Sequence, residues 1–270
     1  MTGPLRQPPA IRLGLARAAL ETRMFFREKD AVVFTLSLPI VLLVIFGSIF
    51  SGPMGPGGVD VSQLYVAGLI GSAAMTGFQN LGITIAVDRD DGTLKRLAGT
   101  PLPRASYFAG KALTVLLVSL LQVTVLLIIG VTLFTLRLPS GPSGWATFAW
   151  VFVLGVLGSS LLGVAASSLP RSGRSAGAVI AMPFVVLQFV SGVFVPVAVL
   201  PDWLLNISSL FPLKWMCQGF RSVFLGEAGA ALERTGSYEL DRVALVLGAW
   251  IAGGLLLCLT TFRWKSRRDG

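Results

Sequence analysis

Six apolar runs, each long enough to cross a bilayer, alternate with polar stretches along this 270-residue chain. They cover residues 31–51, 61–87, 112–136, 146–169, 176–200 and 243–262. A membrane-spanning helix needs about 20 mostly apolar residues. The pattern therefore predicts an all-α, polytopic membrane protein with six transmembrane helices in a single domain. The breaks are clear except around the fifth run, which only Pro170–Ser175 divides from the fourth.

Two segments outside the runs carry their own pattern. Over 10–28, Ile11, Leu15, Ala18, Ala19 and Phe26 can share one face, with Arg12, Arg23 and Arg27 largely opposite. That predicts an amphipathic helix at the membrane surface, serving as a lipid anchor or as a docking element for a partner. The stretch from about Pro196 to Asp241, with the re-entrant segment at 201–242, is long for a connection and its start is apolar, but Pro196, Pro201 and Pro212 interrupt it. Proline breaks the helical ladder, so short re-entrant helices at the outer leaflet are expected there. Trp203 and Trp215 suit the head-group level.

Composition agrees. Hydrophobic residues make up 54% and charged residues 13%, about half the charge of a soluble domain, and mean hydropathy is +0.77. This excludes a disordered chain and argues against a soluble globule. The net charge of +9 is read as a membrane-face excess and not as a nucleic-acid footprint. Seventeen Lys and Arg fall in the N-terminal arm, the loops after the second and fourth runs, and the C-terminal tail; five fall on the other side. The positive-inside rule then places both termini in the cytoplasm of a bacterial-type inner membrane, in contact with membrane lipid.

The chain has no histidine and only two cysteines, Cys217 and Cys258. That removes histidine-based nucleophilic catalysis and a four-ligand zinc site. No catalytic residue, metal site or cofactor is expected in this chain. The interiors of the runs hold no ionisable residue, which counts against an ion-coupled carrier. Milder polar residues do occur. Gly68, Ser72, Thr76, Asn80 and Thr84 recur every fourth position, a spacing that drifts around a helix, with Gln79 beside them and Gln122 in the third run. Thr76, Gln79, Asn80 and Gln122 are candidates for a substrate path; interhelical hydrogen bonding is the alternative. Gly155, Ser159, Gly163 and Ser167 form a small-residue seam, within the chain or between two chains.

The loop 88–111 after the second run reads as a short structured element. Gly92-Thr93 starts a helix, Leu94 and Leu97 give it an apolar side, Lys95 and Arg96 face elsewhere, and Thr100-Pro101 stops it. The run Asp91, Gly92, Thr93, Leu94, Lys95, Arg96, Leu97, then Thr100, Pro101, Leu102 and Arg104, resembles the same loop in membrane subunits of ABC-2 type exporters, especially daunorubicin-resistance-like permeases. Ser191–Pro196, Leu200–Trp203 and Phe211–Leu213 resemble the outer re-entrant region of that family. The family often carries glutamate before the Gly-Thr pair, where this chain has Asp90 and Asp91.

The resemblance implies a permease subunit that binds no nucleotide, and no G-x-x-x-x-G-K-[ST] phosphate loop is present. ATP and Mg would be bound by a separate ABC ATPase, two copies of which would join two permease copies, as a homodimer or heterodimer. Coupling would fall to Asp91, Gly92, Thr93, Leu94, Lys95, Arg96 and Leu97, with Arg17, Arg23 and Arg27 supporting the docking helix. Alternating access would export a hydrophobic drug-like or lipid substrate. The alternatives are a polysaccharide or lipid-linked glycan exporter, and a non-transporting subunit that anchors or regulates an ATPase.

Overall fold

A computed structural model describes residues 10–55, 57–100 and 103–261. Pro101 and Leu102 of the loop motif, the basic tail from Arg263, and the side chains of Ile11 and Arg104 lie outside the described residues. The chain is helical almost throughout. Helix α1 (Ala10–Arg27) precedes the first long apolar helix, α2 (Lys29–Ile49). A two-stranded antiparallel hairpin, β1 (Pro53–Met54) and β2 (Val59–Asp60), leads into α3 (Val61–Asp90). Then come α4 (Thr93–Ala98), α5 (Arg104–Phe134), α6 (Pro142–Ala166) and α7 (Gly173–Val190). Three short helices follow, α8 (Asp202–Ser208), α9 (Pro212–Phe224) and α10 (Gly226–Ala230), before α11 (Leu240–Thr261). Six of these, α2, α3, α5, α6, α7 and α11, are long and apolar enough to span a membrane. The all-α polytopic architecture is thus present.

Helix α3 is the centre. It is enclosed on nearly all sides, whereas α2, α7 and α11 leave most of their surface outward. It packs against α2, α5, α6, α7 and α9. In lipid no hydrophobic drive brings two apolar helices together, so close backbone approach must supply the attraction. The small-residue seam of α6 does this within the chain: a Cβ on Gly163 would lie 2.7 Å from the Phe78 carbonyl oxygen, and Ser159 donates to the Ala74 carbonyl at 3.4 Å. Across α3, a Cβ on Gly71 would meet the Cys217 sulfur at 2.8 Å.

Several boundaries differ from the hydropathy pattern: α2, α6 and α11 start two to four residues early and α6 ends at Ala166, and larger differences lie around the fifth span and the loop 88–111. The fifth span was expected to reach residue 200, but α7 ends at Val190. Ser191 caps it, Gly192 turns with φ +83°, and Val193 through Val197 fold back against the core. Their apolar character reflects burial inside the protein, not a continuing span. The loop expected over 88–111 is shorter, because α3 runs on to Asp90 and α5 begins at Arg104. The polar residues added to these helix ends are held by neighbours, as described below. Trp203 is exposed, but Trp215 is buried, with its indole N–H donating to the Ser209 carbonyl at 2.7 Å.

Replacing Gly163 with leucine is expected to lower the unfolding stability of the detergent-solubilised chain by about 1–3 kcal/mol. The reason is that the obstacle is backbone, which cannot give way as a flexible side chain would. Gly248, where an added Cβ meets nothing within 4 Å, should accept alanine within about 0.5 kcal/mol. Thermal unfolding of both variants checks this.

Candidate functional site

The loop motif forms one end of the bundle. Helix α3 ends at Asp90, and the next two residues reverse the chain: Asp91 caps α3, and Gly92 takes φ +77°. That left-handed conformation strains any residue with a Cβ. The Asp91 carboxylate accepts the Thr93 N–H at 2.8 Å and so starts α4. Slight burial would raise this carboxyl, but the bonds from Thr93 and the charge of Arg96 outweigh it and hold Asp91 below its ordinary range.

Within α4, Leu94 is fully buried against its own chain and Leu97 packs half-buried on the core. Lys95, Arg96 and Ala98 are exposed. Arg96 also donates to the Thr93 hydroxyl at 3.1 Å. The seven motif residues thus divide by role. Leu94 and Leu97 anchor the helix, Asp91, Gly92 and Thr93 build its turn, and Lys95 and Arg96 present charge outward.

Three consecutive residues at the end of α3 reach three different neighbours. Asp88 accepts the Tyr107 hydroxyl at 2.6 Å and pairs with Lys111 at 3.1 Å, both from α5. Arg89 donates to the Pro170 carbonyl at 2.8 Å, in the turn before α7. Asp90 accepts the Gly173 N–H at 2.9 Å, at the first turn of α7. A negative charge there is favoured, because unbonded N–H groups point toward it. Ser172 and Ser175 complete this helix start as a reciprocal capping box. Gly173 to Gly177 has the G-x-S-x-G spacing of a nucleophile elbow, but Ser175 serves as a cap and the chain has no histidine to activate it.

Helix α1 joins the same network. Arg17 pairs with Glu21 at 2.8 Å, Glu21 faces Lys111 at 3.6 Å, and Arg17 sits 5.6 Å from the centre of the fully buried Tyr107 ring. Gly14 and Ala18 lie against α5, and the Thr114 hydroxyl donates to the Ala18 carbonyl at 3.4 Å. Four large apolar side chains of α1, Leu15, Leu20, Met24 and Phe26, point away from the bundle, while Leu13 and Phe25 are half-buried. So α1 rests on α5 through small residues and offers its bulk outward. Of the three arginines singled out in its sequence, Arg17 turns into the network, while Arg23 and Arg27 are exposed.

The polar candidates in the spans separate into two pairs. Thr76 bonds the Ala73 carbonyl at 2.8 Å and lies 3.4 Å from the Gln122 Oε1. Gln122 donates to the Thr35 carbonyl at 2.8 Å, tying α5 to α2. These two are engaged between helices. Gln79 and Asn80 are half-buried, and among the described residues nothing bonds their amide groups. The drift of the four-residue row is visible: Ser72 is buried and receives an amide bond from Gln188 at 2.6 Å, Thr76 and Asn80 are half-buried, and Thr84 is exposed.

The sequence pattern did not point to Glu21, Asp88, Tyr107 and Lys111 as a unit. The four-residue spacing of Arg17 and Glu21 was the available signal. No group of three or more metal-ligating side chains occurs among the described residues. The arrangement is a short helix, α4, seated through Leu94 and Leu97 beside the end of α3, whose last three residues bond α5, the turn before α7 and α7 itself.

Comparison with known proteins points the same way. The family described as "ABC-2 type transporter" matches residues 16–225. A putative transport permease, ycf38, of Porphyra purpurea is 29% identical over 216 residues, covering 76% of this chain and 72% of that one. A probable multidrug ABC transporter permease, YbhR, of Escherichia coli is 29% identical over 151 residues, covering 54% of this chain and 39% of that one. A putative transport permease, YvfS, of Bacillus subtilis is 22% identical over 231 residues, covering 84% and 88%.

Tyr107→Phe is expected to cost about 1.5–3 kcal/mol, the value of a hydrogen bond to a charged group. Combined with Asp88→Asn, its effect should fall short of the sum of the two by more than about 0.5 kcal/mol. Combined with Arg96→Gln it should be additive. Unfolding free energies from the two double-mutant cycles check the network.

Proposed function

The chain belongs to the ABC-2 type transporter family and is a transport permease subunit of an ABC transporter, and on that premise we propose that it exports a hydrophobic drug-like or lipid substrate by alternating access. The protein is a multi-pass membrane protein. In this reading it lies in a bacterial-type inner membrane with both termini, α1 and α4 on the cytoplasmic side. A separate ABC ATPase binds ATP and Mg and docks on α4. Two ATPase copies and a second permease copy complete the assembly.

The observation that carries the reading is the attachment of α4. A rigid lever must pass force to more than one helix, and the bonds made by the end of α3, next to α4, offer such a route. Movement of α4 displaces the end of α3, and Asp88, Arg89 and Asp90 pass it to α5 and α7. Through Lys111, Glu21 and Arg17 it also reaches α1. Closure of an ATPase pair is a two-state change that nucleotide binding biases. The exposed Lys95 and Arg96 are the contacts a docking partner meets first. Leu94 acts by holding α4 in place. For the substrate path, the half-buried amides of Gln79 and Asn80 are stronger candidates than Thr76 and Gln122, whose polar atoms already serve neighbouring helices. The apolar span interiors and the multidrug description of the E. coli relative support a hydrophobic cargo.

Reversing both charges, Lys95→Glu with Arg96→Glu, is expected to reduce ATP-driven transport by about tenfold or more, since like charges brought together at an interface cost several kcal/mol. Membrane insertion and thermal stability should be unchanged. Vesicle transport assays with the cognate ATPase measure this, and full transport by the double variant would remove α4 from the coupling path.

A further inference from the structure

A second polar site lies at the end of the bundle opposite α4, formed within one chain. The segment between α10 and α11 crosses α9 and is pinned there by Arg221 and Glu233. Their side chains are each 3% exposed and meet twice, at 2.5 and 3.2 Å. Beside this pair, a cavity of about 240 Å³ opens between α8, α9 and the crossing segment.

The carboxylates on the cavity wall are already claimed, Glu233 by Arg221 and Glu239 by Arg242 at 2.5 Å. The rim residue Arg234 is held by Asp202 at 3.3 Å and by the Asn206 side chain at 2.7 Å. Lys214 differs. It is nine-tenths buried on the same wall, its amine rests 3.7 Å from the centre of the Trp215 ring, and among the described residues no carboxylate or hydrogen-bond acceptor engages it. Burial pushes that amine down to about 8, with Glu233 and Glu239 opposing the shift and Arg221 and Arg242 adding to it. Its neighbour Gln218 gives its amide N–H to the Tyr238 carbonyl at 2.8 Å, which leaves its buried Oε1 without a donor.

A buried ammonium is costly unless an anion accompanies it. The Trp215 ring, a neutral partner, recovers only part of that cost. Lys214 also stands in the first turn of α9, the helix end that favours negative charge. The recess therefore lacks one anion. Its surroundings say where that anion comes from. Leu205 of α8 lines the cavity, while Trp203 and Ile207 on the outer face of α8, with Val199 and Leu210 beside it, form an exposed apolar strip. An aromatic and aliphatic strip next to a cationic recess, on a membrane protein, matches the boundary between acyl chains and head groups.

We propose that this recess binds a phospholipid headgroup, with the Lys214 amine on the phosphate oxygens and the apolar strip against the acyl chains. The site needs only the multi-pass placement of the protein. It is independent of transport direction and of the ATPase, so its test and that of the coupling role separate cleanly.

The test uses the purified full chain in detergent and three probes: dioctanoyl phosphatidylglycerol, dioctanoylglycerol and free glycerol phosphate. The lipid is expected to bind one per chain. Lys214→Met should weaken it by about tenfold or more, the loss of a charge-assisted bond, and Lys214→Arg should retain it. Dioctanoylglycerol, which has no phosphate, should bind at least about tenfold more weakly than the lipid. Equal binding by Lys214→Met and the unaltered chain, or by the two lipids, overturns the proposal. Glycerol phosphate binding as tightly as the lipid overturns the lipid assignment in favour of a soluble phosphate. Lys214→Met should keep or raise the thermal midpoint without ligand, because it removes a buried charge that has no ionic partner. A lowered midpoint would mean the chain itself satisfies the amine, and would also overturn the site.

Discussion

Close approach of neighbouring backbones to α3 is the constraint from which the rest of the bundle follows. Two apolar helices in lipid gain nothing by merely touching, since lipid tails are as apolar as their side chains. They gain by fitting closely enough for dispersion contacts and interhelical hydrogen bonds. Gly71 and Gly77 on α3, and Gly163 on α6, remove the side chains that would keep those surfaces apart. The result is one helix enclosed by five others, while α2, α7 and α11 form an outer layer. Polar residues collect at both ends of this enclosed helix.

The two ends resolve the cost of charge in different ways. At the α4 end, Arg17, Glu21, Asp88 and Lys111 share one another across three helices, α1, α3 and α5. Asp88 and Lys111 each serve more than one partner there, so removing one contact disturbs others. At the opposite end, Arg221 and Glu233 form a compact, dehydrated pair that folds the outer segment onto α9. Such pairs contribute little net stability and are costly to break singly. They hold one arrangement against alternatives. Lys214 is the exception to that tidy pairing, which is why an external anion is assigned to it.

Much of this was legible in the chain. The six spans follow from hydropathy, and α4 follows from a turn glycine, two leucines and a proline stop. The small-residue seam of α6 was also visible, although its partner was not: period-four spacing marks a close contact without saying with what. The end of the fifth span was misplaced because Val193–Val199 are as apolar as a span. A core-facing turn and a lipid-facing helix read alike when each side of the residue is greasy. The ion networks were hidden for another reason. Lys111 and Asp88 fell within the predicted loop, and Lys214 and Arg221 counted only among the five basic residues of the outer side. Their meaning depends on which helices meet, and sequence separation conceals it. Arg17 turns inward only because Tyr107 and Glu21 are there to receive it.

The lever account is tested most directly by placing a photo-crosslinking residue at position 95 on α4, and separately at position 203 on α8, in membranes that also hold the cognate ATPase. Crosslinks to the ATPase from position 95 whose yield changes on adding ATP, with none from position 203, are the expected result. ATPase crosslinks from position 203, or a silent position 95 in a complex that still transports, would contradict it.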